Sequence, residues 1–250
     1  MSASAHSDPG RVAALWRYPA SSLAGESLAE MAVGTDGAMG DRLFGLVDAA
    51  TGEIARPDAN ARWHGVPRIL TRLGADGGLQ VKTPGGEWLA APGEAADRAA
   101  SAFLGFQASI RPFRSAEAAG GEAAFSARYK KAPIHLLTTA SLAELKAQHP
   151  DGDPDPRRFR PNIVVDMQPI AGRFPETEWI GRRIAIGELE LTVSEPCRRC
   201  GFTIIAQDGF DNDPNILRTL VKKNAHNLGV YCEVTRPGTV RTGDAMRFVD

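Results

Sequence analysis

The run Ile184-Ala185-Ile186-Gly187-Glu188-Leu189-Glu190-Leu191-Thr192-Val193 leads into Glu195-Pro196-Cys197-Arg198-Arg199-Cys200-Gly201-Phe202-Thr203, and these two stretches decide how the chain is read. The first alternates apolar and polar residues, the two-residue period of a half-buried strand. Pro196 ends or bends that strand, because it has no N–H for the ladder. Two of the chain's three cysteines follow at once. Two arginines lie between them, and positive charge beside a thiol favours the thiolate, the form that binds metal or attacks. The spacing therefore predicts a soft ligand at a strand end, in an electropositive turn with room for an anion. The residues after it, Gly201-Phe202-Thr203-Ile204-Ile205, read as extended.

Working outward, the other segments read mostly as short strands. An N-terminal small polar tail, predicted to be disordered, precedes Val12-Ala13-Ala14-Leu15-Trp16-Arg17-Tyr18-Pro19, a β-like run. A second run covers 28–33, and a turn at 36–41 leads into a strand that includes Leu43 to Val47. Gly74-Ala75-Asp76-Gly77-Gly78 joins two apolar runs as a hairpin. Residues 95–104 have helical composition, and the small-residue run 115–124 reads as a loop or frayed insertion. Ile134-His135-Leu136-Leu137-Thr138 is a buried strand, followed by a helix with Thr139 at or near its N-cap. Pro161 introduces another strand at Asn162-Ile163-Val164-Val165-Asp166. Residues 214–223 are predicted helical, with Asp213 as N-cap and Pro214 in the first helical position. The end is again β, around Val230-Tyr231-Cys232-Glu233-Val234 and 245–249. The expected fold is α+β and β-rich: an N-terminal small β-barrel domain over 11–95, packed on a second β-barrel with a few helices over 96–250.

Composition narrows the function classes. Twenty-nine basic and 30 acidic residues leave a net charge of −1, so nothing in the balance suggests nucleic acid or an anionic membrane as partner. No apolar run approaches the roughly 20 residues of a membrane helix. Without a basic-then-apolar N-terminal segment and with an odd number of cysteines, the expected setting is a reducing cytoplasm rather than a disulfide scaffold.

Cys197-x-x-Cys200 admits several chemistries. A closed zinc site needs four ligands, and the other soft donors in reach are Cys232 and His226, both in segments read as packed structure. A redox dithiol belongs at a helix start, and the residues after Cys200 read as extended. Two buried inert thiols would sit oddly beside Arg198 and Arg199. A single thiolate holding a large anionic cofactor accounts for more of the pattern. Arg160-Pro161-Asn162 adds a guanidinium fork and an amide at the mouth of a strand. Thr138-Thr139-Ala140-Ser141 adds hydroxyls and free backbone N–H groups at a helix start.

Six motifs then occur in one order: Tyr18-Pro19; Gly40-Asp41-Arg42-x-Phe44-x-Leu46-Val47; Leu137-Thr138-Thr139-Ala140-Ser141-Leu142; Phe159-Arg160-Pro161-Asn162-Ile163; Pro196-Cys197-x-Arg199-Cys200; and Pro237-Gly238-Thr239-Val240-x-x-Gly243-Asp244. Together they resemble the MOSC family (molybdenum cofactor sulfurase C-terminal domain), in the branch with an N-terminal MOSC β-barrel domain that includes amidoxime-reducing components and bacterial N-hydroxylamine reductases. The resemblance implies a molybdenum cofactor (molybdenum–molybdopterin) with Cys200 as metal ligand and catalytic centre. It implies cofactor contacts from Arg42, Thr138, Thr139, Ser141, Arg160, Asn162, Arg199 and Thr203. At family level it also carries an association with pyridoxal phosphate. The implied activity is two-electron reduction of N–O bonds in small molecules, with electrons from a separate flavin or iron–sulfur reductase. Persulfide transfer through Cys200 and simple cofactor carriage are the alternatives. Two positions depart from the branch: Ser21-Ser22 stands where a lysine and serine are usual, and Ile204 where a second threonine is usual.

Overall fold

A computed structural model of the chain describes residues 10–113 and 133–249. The run 115–124, read above as a loop, lies outside them. In chain order the elements are β1 (Gly10–Arg17), β2 (Glu26–Leu28), β3 (Glu30–Gly34), β4 (Gly37–Ala38), β5 (Phe44–Asp48), β6 (Leu70–Leu73), β7 (Leu79–Lys82), β8 (Leu89–Ala91), α1 (Glu94–Leu104), β9 (Ala108–Pro112), β10 (Ile134–Thr138), α2 (Thr139–Gln148), β11 (Ile163–Asp166), β12 (Arg183–Ile186), β13 (Leu189–Arg198), α3 (Pro214–Asn224), β14 (Asn227–Arg236), β15 (Gly238–Arg241) and β16 (Ala245–Val249). The fold is α+β and β-rich, as the alternating runs predict.

The main sheet runs β11-β10-β14-β13-β12-β16-β1, and β1 also pairs with β11, which closes seven strands into a barrel. Closure leaves no edge strand open to pairing with another chain. The β12–β13 hairpin from the opening stretch is its frame. Ile186 lies opposite Leu189 across the two-residue turn Gly187-Glu188, where Gly187 takes φ +57°. Ile184, Ile186, Leu189, Leu191 and Val193 are all fully buried in the barrel core. Burying each such side chain contributes about 1.5–3 kcal/mol, enough to pin a register in which one slip would turn every one of them to solvent.

The N-terminal segment does not keep to itself. Val12 and Leu15 of β1 point into the barrel core, and the short β3–β4–β15 sheet covers it with Met31, Val33, Ala38 and Val240. A period-two pattern predicts a strand but not its partner, and here Arg11 of β1 lies opposite Asp166 of β11, far along the chain. A second core gathers Leu46, Trp63, Val66, Ile69, Leu79, Val81 and Ile110 with Ala96 and Ala100 of α1. It is walled by the β6–β7–β8 and β5–β9 sheets. The expected division at 95/96 thus passes through α1, which packs on the first unit while β9 pairs with β5. The 74–78 hairpin forms as read, with Leu73 opposite Leu79.

Around the cysteines one alternative is decided, since Pro196 bends its strand rather than ending it, and one expectation is corrected. β13 does not stop at Pro196 but continues to Arg198, with its register against β14 shifting on both sides of the proline. The missing N–H is accommodated at those irregularities. Residues Gly201–Ile204 form a 3-10 turn rather than extended chain. The Thr203 backbone N–H and its hydroxyl both donate to the Cys200 carbonyl, at 3.2 and 3.0 Å, which closes the turn. Among the described residues no helix is long and apolar enough to cross a membrane.

Candidate functional site

The end of β13 delivers Cys197, Arg199 and Cys200 to the seam between the barrel and the first unit. The two thiols have opposite environments. Cys197 is fully buried and Cys200 is exposed. Gly201 lets this turn approach the first unit closely, since a Cβ there would lie 3.2 Å from the Asp58 carbonyl.

Arg199 is held rigidly. It donates to the Cys197 sulfur at 2.6 Å and to the Phe159 carbonyl at 2.8 Å, while its buried Nε has no partner. Burial pushes the Cys197 thiol up, but Arg199 and the His135 imidazole against it pull harder and hold it at about 6. Tyr231 hydrogen-bonds the same sulfur, and its own ionisation is pushed up by burial and by that sulfur's charge. The arginines between the cysteines favour a thiolate, and the structure shows that effect at the buried Cys197.

Two more arginines adjoin this one. Arg42 sits two residues before β5, in left-handed backbone at φ +53°. It pairs with the fully buried Asp41, which also accepts from the Tyr18 backbone N–H at 2.7 Å. Arg160, likewise at positive φ, donates to the carbonyls of Leu23 and Ala20 and lies 4.1 Å from the Tyr18 ring centroid. Burial, with Arg42 nearby, lowers its pKa to about 9. Arg160 therefore ties the barrel to the first unit instead of presenting a free fork. Phe202, from the turn after Cys200, stands against the same guanidinium.

The hydroxyl and amide candidates go elsewhere. Thr138 caps α2, and its hydroxyl donates to Glu176 at 2.9 Å; Ser141 donates to the same carboxylate oxygen. Thr139 donates to Asp166 at 2.9 Å. Asn162 is buried and bonds the His135 N–H and the Trp16 carbonyl, tying β11 to β10 and β1. Thr203 is buried on the Cys200 carbonyl. The structure thus brings Cys200, Arg199, Arg42 and Arg160 together at one seam, and uses Thr138, Thr139, Ser141 and Asn162 internally.

Glu176 was not legible in the sequence. It lies in a 3-10 turn over Pro175–Trp179, completely buried, and also accepts the Gly229 N–H. Burial raises its pKa against the opposing pull of the Ser141, Thr138 and Gly229 bonds. His135 hides in a continuous apolar run, where the sequence pattern points to nothing but a core strand.

A closed barrel with an exposed thiol at the same seam as three neighbouring arginines makes a candidate anion-accepting site on a β-rich frame. The MOSC domain family matches residues 116–247, and the MOSC N-terminal beta barrel domain matches residues 9–128. The chain belongs to the MOSC family. Similar curated proteins include mitochondrial amidoxime-reducing component 1 of Danio rerio, 33% identical over 122 residues, covering 45% of this chain and 36% of that protein. Molybdenum cofactor sulfurase of Caenorhabditis briggsae is 33% identical over 124 residues, covering 46% and 17%. The match thus spans about a third of the first relative's length and about a sixth of the second's. Among solved structures, the YuaD protein from Bacillus subtilis has a TM-score of 0.49 at 16% identity, covering 95% of this chain and 93% of that one.

Proposed function

We propose that this chain holds a molybdenum–pterin cofactor through the Cys200 thiolate and reduces N–O bonds of N-hydroxylated compounds or N-oxides. The observation that carries the reading is the one exposed thiol with Arg42, Arg160 and Arg199 mutually close beside it. Family membership and amidoxime-reducing relatives support the same chemistry. The fit is specific in part. A soft thiol and clustered guanidiniums suit a soft metal on a polyanionic ligand, and the buried Nε of half-buried Arg199 has no partner among the described residues. Thr138, Thr139 and Ser141 do not fit, because carboxylates of the protein already take their hydroxyls.

When bound, the cofactor supplies the two-electron redox chemistry. The chain's own residues position and charge it. Cys200 anchors the metal. Cys197 and the Phe159 carbonyl fix the Arg199 guanidinium, so its orientation is set before anything binds. Asp41 does the same for Arg42. Tyr18, whose ionisation burial pushes up against the pull of Arg160 and Arg42, stays a protonated phenol at neutral pH. Electrons come from a separate donor protein, and a reducing compartment such as the cytoplasm keeps Cys200 a thiol.

The test is metal and pterin content of protein made in a cofactor-competent host, followed by reduction of a hydroxylamine or N-oxide with reduced viologen. Wild type and Cys197→Ser should carry molybdenum, and Cys200→Ser should carry none and reduce nothing. Equal metal loss in both variants refutes the single-thiolate assignment. Cyanolysable sulfur on Cys200 of metallated protein that reduces no N–O bond establishes instead the sulfur-transfer reading that the sulfurase relatives favour.

A further inference from the structure

Of the three arginines in Arg157-Arg158-Phe159-Arg160, Arg158 is the one buried most deeply, with 1% of its surface exposed. It closes the 3-10 turn Pro156–Arg158. Its guanidinium hydrogen-bonds the backbone of three separate segments. Nε donates to the Asp153 carbonyl at 2.8 Å, Nη2 to the Asp211 carbonyl at 2.8 Å and Nη1 to the Thr203 carbonyl at 3.4 Å. The Phe210 ring centroid lies 4.2 Å from its central carbon. A planar fork of five donors holds three carbonyls more rigidly than a lysine ammonium on its flexible stem. A cation this deep persists only where its donors are satisfied.

One of those three carbonyls belongs to the cysteine turn. Thr203 is fully buried, and its N–H and hydroxyl both donate to the Cys200 carbonyl, at 3.2 and 3.0 Å. A short 3-10 turn has few bonds of its own, so its position is set from outside. Arg158 grips it at Thr203, and the Asp213 N–H grips it at the next residue, donating to the Ile204 carbonyl at 2.8 Å. Asp213 is itself fixed as the N-cap of α3, and Arg158 holds the Asp211 carbonyl just before that cap. A continuous path of bonds thus runs from Asp153 and Asp211 through the Arg158 guanidinium to Thr203 and on to Cys200. We infer that Arg158 is a positioning residue for the Cys200 thiol: acting through Thr203, it fixes where the exposed thiol sits without touching what the thiol binds. As a device for holding a metal ligand it rests on the assignment of Cys200 proposed above, whereas its effect on the thiol itself does not. A displacement of about 1 Å at a reacting group can cost roughly a hundredfold in rate, so a buried staple at this distance from the chemistry has a measurable consequence.

Arg158→Lys keeps the charge and loses the fork. In cofactor-free protein with carbon-labelled cysteine, the Cys200 Cβ resonance is identified as the one lost in Cys200→Ser, and buried Cys232 in the barrel core serves as the folding control. In Arg158→Lys the Cys200 resonance should broaden or split while that of Cys232 stays in place. Exchange of the Thr203 N–H should accelerate by about tenfold or more relative to the barrel strands. Leu189→Ala, at the far end of β13 in the barrel core, lowers stability without touching the turn and should leave the Cys200 resonance unchanged. In metallated protein, Arg158→Lys should lose molybdenum on dialysis about tenfold faster than wild type. A disturbed Cys200 with unchanged metal retention would support the positioning role and refute Cys200 as ligand. Where Arg158→Lys does not fold, the wild type decides: the Arg158 Nε–H and the Thr203 N–H should open with one common opening constant. An unchanged Cys200 resonance and Thr203 protection in folded Arg158→Lys, the same changes in Leu189→Ala, or unrelated opening of the two wild-type groups would overturn the assignment and leave Arg158 a structural residue only.

Discussion

The buried thiol of Cys197 makes a prediction that can be worked through. Its pKa is held at about 6 in the native state against an ordinary thiol value of 9.0, by Arg199 and His135 acting against burial. A group that binds its proton more weakly when folded adds stability above its unfolded pKa and loses it as pH falls through the folded one. Two-state linkage then gives a contribution of about 0.4 kcal/mol near pH 6, about 1.4 near pH 7 and about 2.7 near pH 8. The native protein should therefore gain about 2 kcal/mol from this one group between about pH 6 and pH 8. Cys197→Ser cannot ionise in that range and should lose this part of the slope. Urea unfolding of both proteins across the interval measures it. Thiolate absorbance in a Cys200→Ser background locates the titration independently, because burial pushes Cys232 up and out of the window. Equal pH slopes in wild type and Cys197→Ser, or a thiol that titrates at its ordinary value, would refute the claim that Arg199 and Cys197 form a charged pair.

Arg160→Ala should remove two charged hydrogen bonds to Leu23 and Ala20, costing about 3 kcal/mol, and hydrogen exchange at 20–24 should accelerate before the barrel strands do; unchanged protection there would contradict the staple. Glu176→Ala leaves Thr138, Ser141 and the Gly229 N–H without their acceptor and should cost about 3 kcal/mol or more by denaturant titration; a loss below about 1 kcal/mol would mean water replaces the carboxylate. Cys232→Ala, in the barrel core, should cost about 1 kcal/mol and leave metal content unchanged, whereas loss of stoichiometric zinc would revive a closed metal site.

The sequence by itself determined the elements and the chemical theme. Period-two runs such as Ile184 to Val193 can bury one face only as strands, and Asp213-Pro214 can start a helix because the cap and the missing N–H both suit its first turn. The concentration of thiols and arginines at 197–200 was equally plain, since charge and softness are properties of residue type. The burial of Cys232 followed from its place between Val230 and Val234, and the structure finds it fully buried. Partnership could not be read the same way. Only tertiary structure put β1 beside β11 and β16, turned Arg160 onto the carbonyls of Leu23 and Ala20, and gave the Thr138 and Ser141 hydroxyls to Glu176, a residue 35 and more positions away. Hydroxyls at a helix start suit a bound phosphate and a buried carboxylate alike, and the chain alone does not say which anion arrives. Between the two cysteines the decision was again one of depth. Both flank the same arginines, but only folding buries Cys197 against Arg199 and His135, and leaves Cys200 exposed.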